Sequence, residues 1–243
     1  MRVKRPLLNG AFLVRENRFR ARVRLNGEEV VAHVPNSGRL TELLSPNRLV
    51  LLAEARSPHR LTDYDLLMVC LPHTLVSIDA RLPNGLFGEA VEAGALQEFE
   101  GYSVARREVS YGESRLDFLL EADGTGSACL VEVKSVTLVQ DGVGRFPDAV
   151  TERGRRHLRE LARAALEGKR AAVVFIIQRP DAVAFGPHDE SDPDFGVVLR
   201  EVAASGVEVY AYTCEVSRAR VKVAQRVPVL LVDNGESAME SAV

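Results

Sequence analysis

Two apolar stretches of this sequence carry charge at positions where a buried strand ordinarily places hydrocarbon. In SRLDFLL, residues 114–120, strand alternation sets Arg115, Asp117 and Leu119 on one face and Leu116, Phe118 and Leu120 on the other. In CLVEVKSV, Leu130, Glu132 and Lys134 share a face, and Val131, Val133 and Ser135 take the opposite one. An unpartnered charge inside a sheet is costly, so two such violations in neighbouring strands mark a place where function outweighs stability. The turn Asp123-Gly124-Thr125-Gly126 lets the two strands pair as a hairpin, and Asp117 and Glu132 then converge. Paired carboxylates suit a hard divalent cation, Mg²⁺ or Mn²⁺, which takes oxygen ligands. Beside them, Lys134 supplies a cation to orient an attacking water, lower its pKa or stabilise charge developing on a phosphate, while the metal polarises the phosphoryl oxygen. A buried acid–lysine ion-pair network without chemistry would show the same short D…ExK pattern; the hairpin context favours catalysis.

The elements that must position these residues are legible in outline. Strands are expected around 104–111, 114–121, 128–139, 171–178 and 207–216, and helices around 151–166 and 193–205, an alternation that gives an α/β class. Pro83-Asn84-Gly85 reads as a turn leading into a helix over 86–99, weakened by Gly94. Before residue 80 the pattern changes to short β runs, RFRARVRL, EEVVAHVP, RLVLLAEA, YDLLMVCLP and TLVSID, which predict a small barrel or strongly curved sheet. The chain therefore divides into domains over 1–82 and 83–231, α+β taken together, with a polar tail over 232–243.

In RFRARVRL, alternation places Phe19, Ala21, Val23 and Leu25 inward and Arg18, Arg20, Arg22 and Arg24 outward, either a charged edge or a face that tracks phosphate. The net charge of −3 conceals an asymmetry: residues 1–60 carry +7 and the remainder −10, which fits one part following a polyanion and another supplying carboxylates. In AHVPNSGRLTELL, Asn36, Ser37 and Arg39 with the neighbouring His33 could contact phosphate or a base, or simply form a turn. In PDAVTERGRRHLREL, Asp148 or Thr151 caps a helix whose apolar stripe is Leu158, Leu161, Ala162 and Ala165; Arg153 and His157, one turn apart, are placed to hold phosphate. Aromatic residues are few, which argues against an extended stacking platform, although Phe12, Phe19 and Tyr64 lie in the N-terminal part. Cys70, Cys129 and Cys214 are odd in number and widely spaced within apolar runs, as reduced buried thiols are. No apolar run is long enough to span a bilayer and no signal segment is visible, so a cytoplasmic location without membrane contact is expected.

Several longer blocks, RFRARV, AHVPNSGRLTELL, LPNGL, SRLDFLL, VEVKSVTL, RFPDAVTERGRRHLREL and SDPDFGVVLREVAASGVEVYAY, occur here in an order that resembles the sugar fermentation stimulation protein A family, described as DNA-binding proteins. That resemblance implies an N-terminal OB-like β-barrel followed by a PD-(D/E)xK nuclease-like α/β domain with a mixed central sheet. Asp117 would be the strand aspartate of that motif, and Glu132 and Lys134 its ExK pair. The superfamily's additional metal-binding acid, from the preceding helix, would be Glu89, with Glu92 and Glu98 as alternatives. Arg145 stands where the family tends to have a small or apolar residue. The expected function is DNA binding with Mg²⁺- or Mn²⁺-dependent nuclease activity, Arg115 joining the nucleic-acid contacts. RNA as substrate, a homodimer, and a DNA-binding regulator of sugar metabolism that does not cut remain open, as does, more remotely, an enzyme acting on a small phosphorylated or sugar substrate.

Overall fold

A computed structural model describes residues 1–55, 60–122, 124 and 126–231, so Asp123 and Thr125 of the expected turn and the polar tail lie outside the described residues. Six strands open the chain: β1 (Leu8–Asn17), β2 (Arg20–Leu25), β3 (Glu28–His33), β4 (Leu49–Glu54), β5 (Tyr64–Cys70) and β6 (Leu75–Ser77). They hydrogen-bond in the order β3-β2-β1-β4-β5-β6, and β3 also pairs in parallel with β5. That pairing closes five strands into the barrel of an OB domain and leaves β6 as an appendage. Period-two alternation fills the barrel: Ala21, Val23 and Leu25 are buried while Arg20, Arg22 and Arg24 face water. Phe19 departs from the expected inward set. The strand begins one residue later, after a turn in which Asn17 Oδ1 accepts the Phe19 N–H (2.9 Å), and the ring is left 47% exposed.

A buried carboxylate ties the barrel to the chain's start. Asp65 is 2% exposed and accepts hydrogen bonds from Arg60 (2.7 Å) and Arg5 (2.8 Å). Burial alone would raise its pKa, but the two guanidiniums more than reverse this and hold it below the usual carboxylate value. A carboxyl depressed in the folded state contributes stability above its unfolded pKa, roughly 3.9, and that contribution disappears as pH falls through the folded value. The melting-temperature advantage of the native protein over Asp65→Asn should therefore be full at neutral pH and shrink progressively below about pH 4. A gap that stays constant in thermal melts down to pH 3 would contradict this.

The second part comprises α1 (Leu82–Glu92), a 3-10 turn at Gln97–Phe99, β7 (Tyr102–Tyr111), β8 (Ser114–Ala122), β9 (Ala128–Val136), β10 (Leu138–Gln140), β11 (Val143–Phe146), α2 (Glu152–Leu166), β12 (Arg170–Ile177), β13 (Ala184–Pro187), α3 (Pro193–Ala204), β14 (Glu208–Val216) and β15 (Val221–Val227). The main sheet runs β15-β14-β12-β9-β8-β7, with β9, β12 and β14 parallel and the flanking strands antiparallel, a mixed α/β sheet. One face packs on α1 through Leu86, Phe87, Phe118 and Val131. The other packs on α2 and α3 through Leu158, Leu161, Phe195 and Leu199.

Two expectations change in detail. Pro83-Asn84-Gly85 is not a turn but the first turn of α1, because proline is compatible with that position; the helix stops at Glu92, before Gly94 at φ +62°. The expected strand over 128–139 is two strands: the chain leaves the main sheet after Val136 and joins a small sheet, β10-β11-β13. The first face is shared with the barrel, since Leu51, Ala53, Leu67 and Met68 pack into the same cluster as Leu86 and Phe118. Polar contacts also cross between the domains: Ser77 Oγ donates to Gln178 Oε1 (3.0 Å), and Asp148 Oδ2 accepts the Leu40 N–H (2.8 Å).

Candidate active site

Strands β8 and β9 run as a regular ladder from Glu121↔Ala128 to Phe118↔Val131, where the ladder ends. One step beyond lie Asp117 and Glu132. Asp117 Oδ2 takes the place of a backbone partner and accepts the Val133 N–H (2.8 Å), while Oδ1 accepts from Asn84 Nδ2 at the start of α1 (2.6 Å). The departure from the ladder also upsets strict alternation, because Leu116 packs with Leu119 on the α2 side rather than with Phe118 and Leu120. Glu132 is 3% exposed, and its Oε1 accepts both Lys134 Nζ (2.5 Å) and His157 Nδ1–H (2.6 Å). Arg153 Nε donates to His157 Nε2 (3.3 Å), which leaves the Nδ1–H of the ring directed at Glu132.

The electrostatics of the pair are unequal. Burial and the neighbouring Glu132 charge push the Asp117 carboxyl above its ordinary value. Burial also acts on Glu132, but Lys134 and His157 more than offset it and keep that carboxyl ionised, below its ordinary value. Two largely buried acids that repel one another are suited to a cation between them. Glu132 Oε2 reinforces this: it is buried and has no hydrogen-bond partner among the described residues. The oxygen donor set therefore fits a hard divalent ion, although among the described residues no group of three or more His, Cys, Asp or Glu side chains converges.

The helix acids are engaged elsewhere. Glu89 pairs with the terminal ammonium of Met1 (2.6 Å), Glu92 accepts the Val104 N–H (3.0 Å), and Glu98 binds Tyr212 and Arg226 (both 2.6 Å). The α1 residue that reaches Asp117 is Asn84, which lies within the LPNGL block and which the turn reading concealed.

Two family models together cover most of the chain: the sugar fermentation stimulation protein RE domain matches residues 81–220, and the family's N-terminal OB domain matches residues 13–78. The chain belongs to the sugar fermentation stimulation protein family. A homologue of that name from Caldanaerobacter subterraneus subsp. tengcongensis is 46% identical over 95% of this chain and 100% of its own length. One from Moorella thermoacetica is 49% identical over 93% of this chain and 97% of its own. The structure of Pyrococcus furiosus SfsA in complex with Ca²⁺ superposes with a TM-score of 0.86 at 34% identity, covering 95% of this chain and 98% of that one.

In this family member the remaining polar residues are distributed unevenly. A cleft of about 240 Å³ lies between the domains, lined by Arg18, Ser37 and Ala80 on the barrel side and by Ser135, Arg145 and Thr151 on the other. Ser135 follows Lys134 directly, and Thr151 caps α2 by accepting the Gly154 N–H (3.0 Å). Asp148 does not cap that helix; its carboxylate holds Leu40 instead. Arg20 and Arg22 are paired with Glu16, and Arg22 also with Glu29, so the outward row of arginines is half neutralised on the barrel itself. Arg18 leaves that row for the cleft. Asn36, 8% exposed, is spent internally on Ile78 O and the Gly38 N–H, and Arg115 on an exposed pair with Glu108. Arg39 is exposed, and His33 Nδ1–H donates to Phe19 O (3.1 Å). Arg145, whose sequence position gave no functional signal, is placed in the cleft. Cys129 and Cys214 are free and buried as expected, with thiols pushed up to about 12 by burial, whereas Cys70 is half-buried. No helix among the described residues is long and apolar enough to cross a membrane.

Proposed function

We propose that this chain is a divalent-metal-dependent phosphodiesterase acting on DNA, with Asp117, Glu132 and Lys134 as its catalytic residues. The observation that carries the proposal is the buried, unpartnered Oε2 of Glu132 beside Asp117 at the end of the β8–β9 ladder. Asp117 and Glu132 would hold Mg²⁺ or Mn²⁺, and the Ca²⁺ complex of the Pyrococcus relative supports a divalent site in the family. Such an ion supplies Lewis acidity toward a phosphoryl oxygen and toward water. Asn84 and the Val133 N–H fix the Asp117 carboxylate. His157, anchored by Arg153, fixes Glu132 through Oε1 and leaves Oε2 for the ligand. Lys134, 11% exposed beside Glu132, is placed to orient the attacking water and to stabilise charge developing on the phosphate. Arg18 and Arg145, which form no ion pair among the described residues, line the adjoining cleft together with Asp148 and suit a phosphate backbone.

The test is cleavage of DNA by the purified protein with Mg²⁺ or Mn²⁺. Activity should disappear in EDTA and fall roughly 10²–10³-fold in Lys134→Ala, the scale of losing one preorganised charge-stabilising donor. Cleavage that Lys134→Ala leaves intact would overturn the assignment. A second reading, a DNA-binding regulator of sugar metabolism that does not cut, is favoured by one observation: no third acid joins the pair among the described residues. It is distinguished by salt-sensitive DNA binding that survives Asp117→Asn with no cleavage in either protein.

A further inference from the structure

A second, open cavity of about 620 Å³ lies on the barrel, and its lining alternates along the chain with that of the interdomain cleft. Arg18 lines the cleft whereas Asn17 and Arg20 line the cavity; Ala80 lines the cleft and Arg81 the cavity. The two depressions are therefore neighbours on one surface, and Phe19 sits where the chain passes from one to the other. An isolated exposed phenylalanine would mean little. This one has His33 beside it, ring centroids 6.2 Å apart and planes inclined by 30°, and the hydrogen bond from His33 Nδ1–H to Phe19 O holds the two together.

The charges along this surface divide in the same sense. Arg18 and Arg145 in the cleft, and Arg153 at the start of α2, make no ion pair with a carboxylate among the described residues. Farther out, Arg20 is paired with Glu16, and Arg81 with Asp79. Cations without an ion pair thus lie beside Ser135 of the catalytic strand, and the exposed Phe19 with the half-buried His33 lies beyond them. At about 240 Å³ the cleft falls just under the roughly 300–1,000 Å³ of sites for drug-sized ligands. That is of the order of one nucleotide unit.

We propose that the substrate strand is unpaired where it crosses the barrel: its backbone passes Arg153, Arg145 and Arg18, and a base stacks on the Phe19–His33 pair. The substrate class is then nucleic acid with a single-stranded stretch. This rests on the nucleic-acid reading above and deepens it. Aromatic stacking tolerates any base, because every base has a π face, so the platform selects unpaired strand and not sequence.

The test is equilibrium binding in EDTA, which separates it from cleavage. Fluorescently labelled oligodeoxyuridylate and oligouridylate of about twenty nucleotides, longer than the roughly 4–16 covered by one OB fold, are compared with a blunt DNA duplex of the same length. A single strand should bind at least about tenfold more tightly than the duplex, and the tighter of the two single strands names the sugar. Phe19→Ala should weaken single-strand binding about 5- to 100-fold, the loss of one base stack, without changing the duplex; Phe19→Tyr should retain it. Duplex binding as tight as single-strand binding, or Phe19→Ala indistinguishable from the native protein, would overturn this inference alone. No binding to any probe would remove the nucleic-acid reading itself.

Discussion

Asp117→Asn should abolish metal-dependent cleavage while making the metal-free protein more stable. The two effects have one cause. Asp117 and Glu132 lie next to one another where the ladder ends, and each carboxylate raises the cost of ionising the other. With no cation between them, that repulsion destabilises the fold. Asparagine is nearly the same shape. Its carbonyl still accepts the Val133 N–H, and rotation of the Asn84 amide presents an acceptor to its new NH₂ group, so the packing stays while the charge goes. The gain should be about 0.5–2 kcal/mol, the size common for single stabilising changes, and it should vanish when Mn²⁺ is added, because only the native site then recovers the cost. Cleavage should fall by roughly 10³-fold or more, since a lost metal ligand removes several kcal/mol of transition-state stabilisation. Thermal melts with and without Mn²⁺, alongside a cleavage assay, measure both. An Asp117→Asn protein that melts below the native one in EDTA would show that the acid is a structural anchor instead.

The largest loss of stability from a single residue should come from Phe175→Ala. Phe175 is fully buried in β12, stacked on Phe185 (centroids 4.0 Å apart) and tilted against Phe146 (5.6 Å), which in turn packs on Phe195 (5.1 Å). Truncation removes the hydrocarbon and leaves a cavity that three rigid rings cannot collapse to fill, at a cost of about 3–5 kcal/mol. For a chain of this length each kcal/mol lowers the melting temperature by about 2–4 °C. Phe175→Leu should recover most of the loss. The damage should also reach function, because Phe175 is in register with Lys134 and Phe146 lines the interdomain cleft. Urea titration of the two variants checks the order, and a Phe175→Ala midpoint within about 1 kcal/mol of native would refute it.

The central strands and two of the helices were readable because each carried its own period: the unbroken apolar run of β12, the alternation of β2 and the apolar stripe of α2. Asp117, Glu132 and Lys134 were visible as charges inside such runs, and the structure brings the three together. The remaining elements carry no local signal. Strands β10, β11 and β13 have only three or four residues each. Their pairing is decided by the chain leaving one sheet for another, which no pattern within four residues encodes. Asn84 was hidden by its Pro and Gly neighbours, which read as a turn although proline also suits a helix's first turn. Glu89, by contrast, has suitable chemistry but is engaged elsewhere: five residues beyond Asn84, it pairs with the amino terminus. Phe19 fell in with the inward residues by parity, because where a strand starts is settled by the preceding turn and not by its period.

The apolar cluster that runs from the barrel into the sheet joins the two halves beside the interdomain cleft. Relative motion would require opening that apolar contact, so the span from Phe19 to the carboxylates is set when the chain folds. A strand bound as proposed across both would then be measured from its stacked base to the bond that is cut.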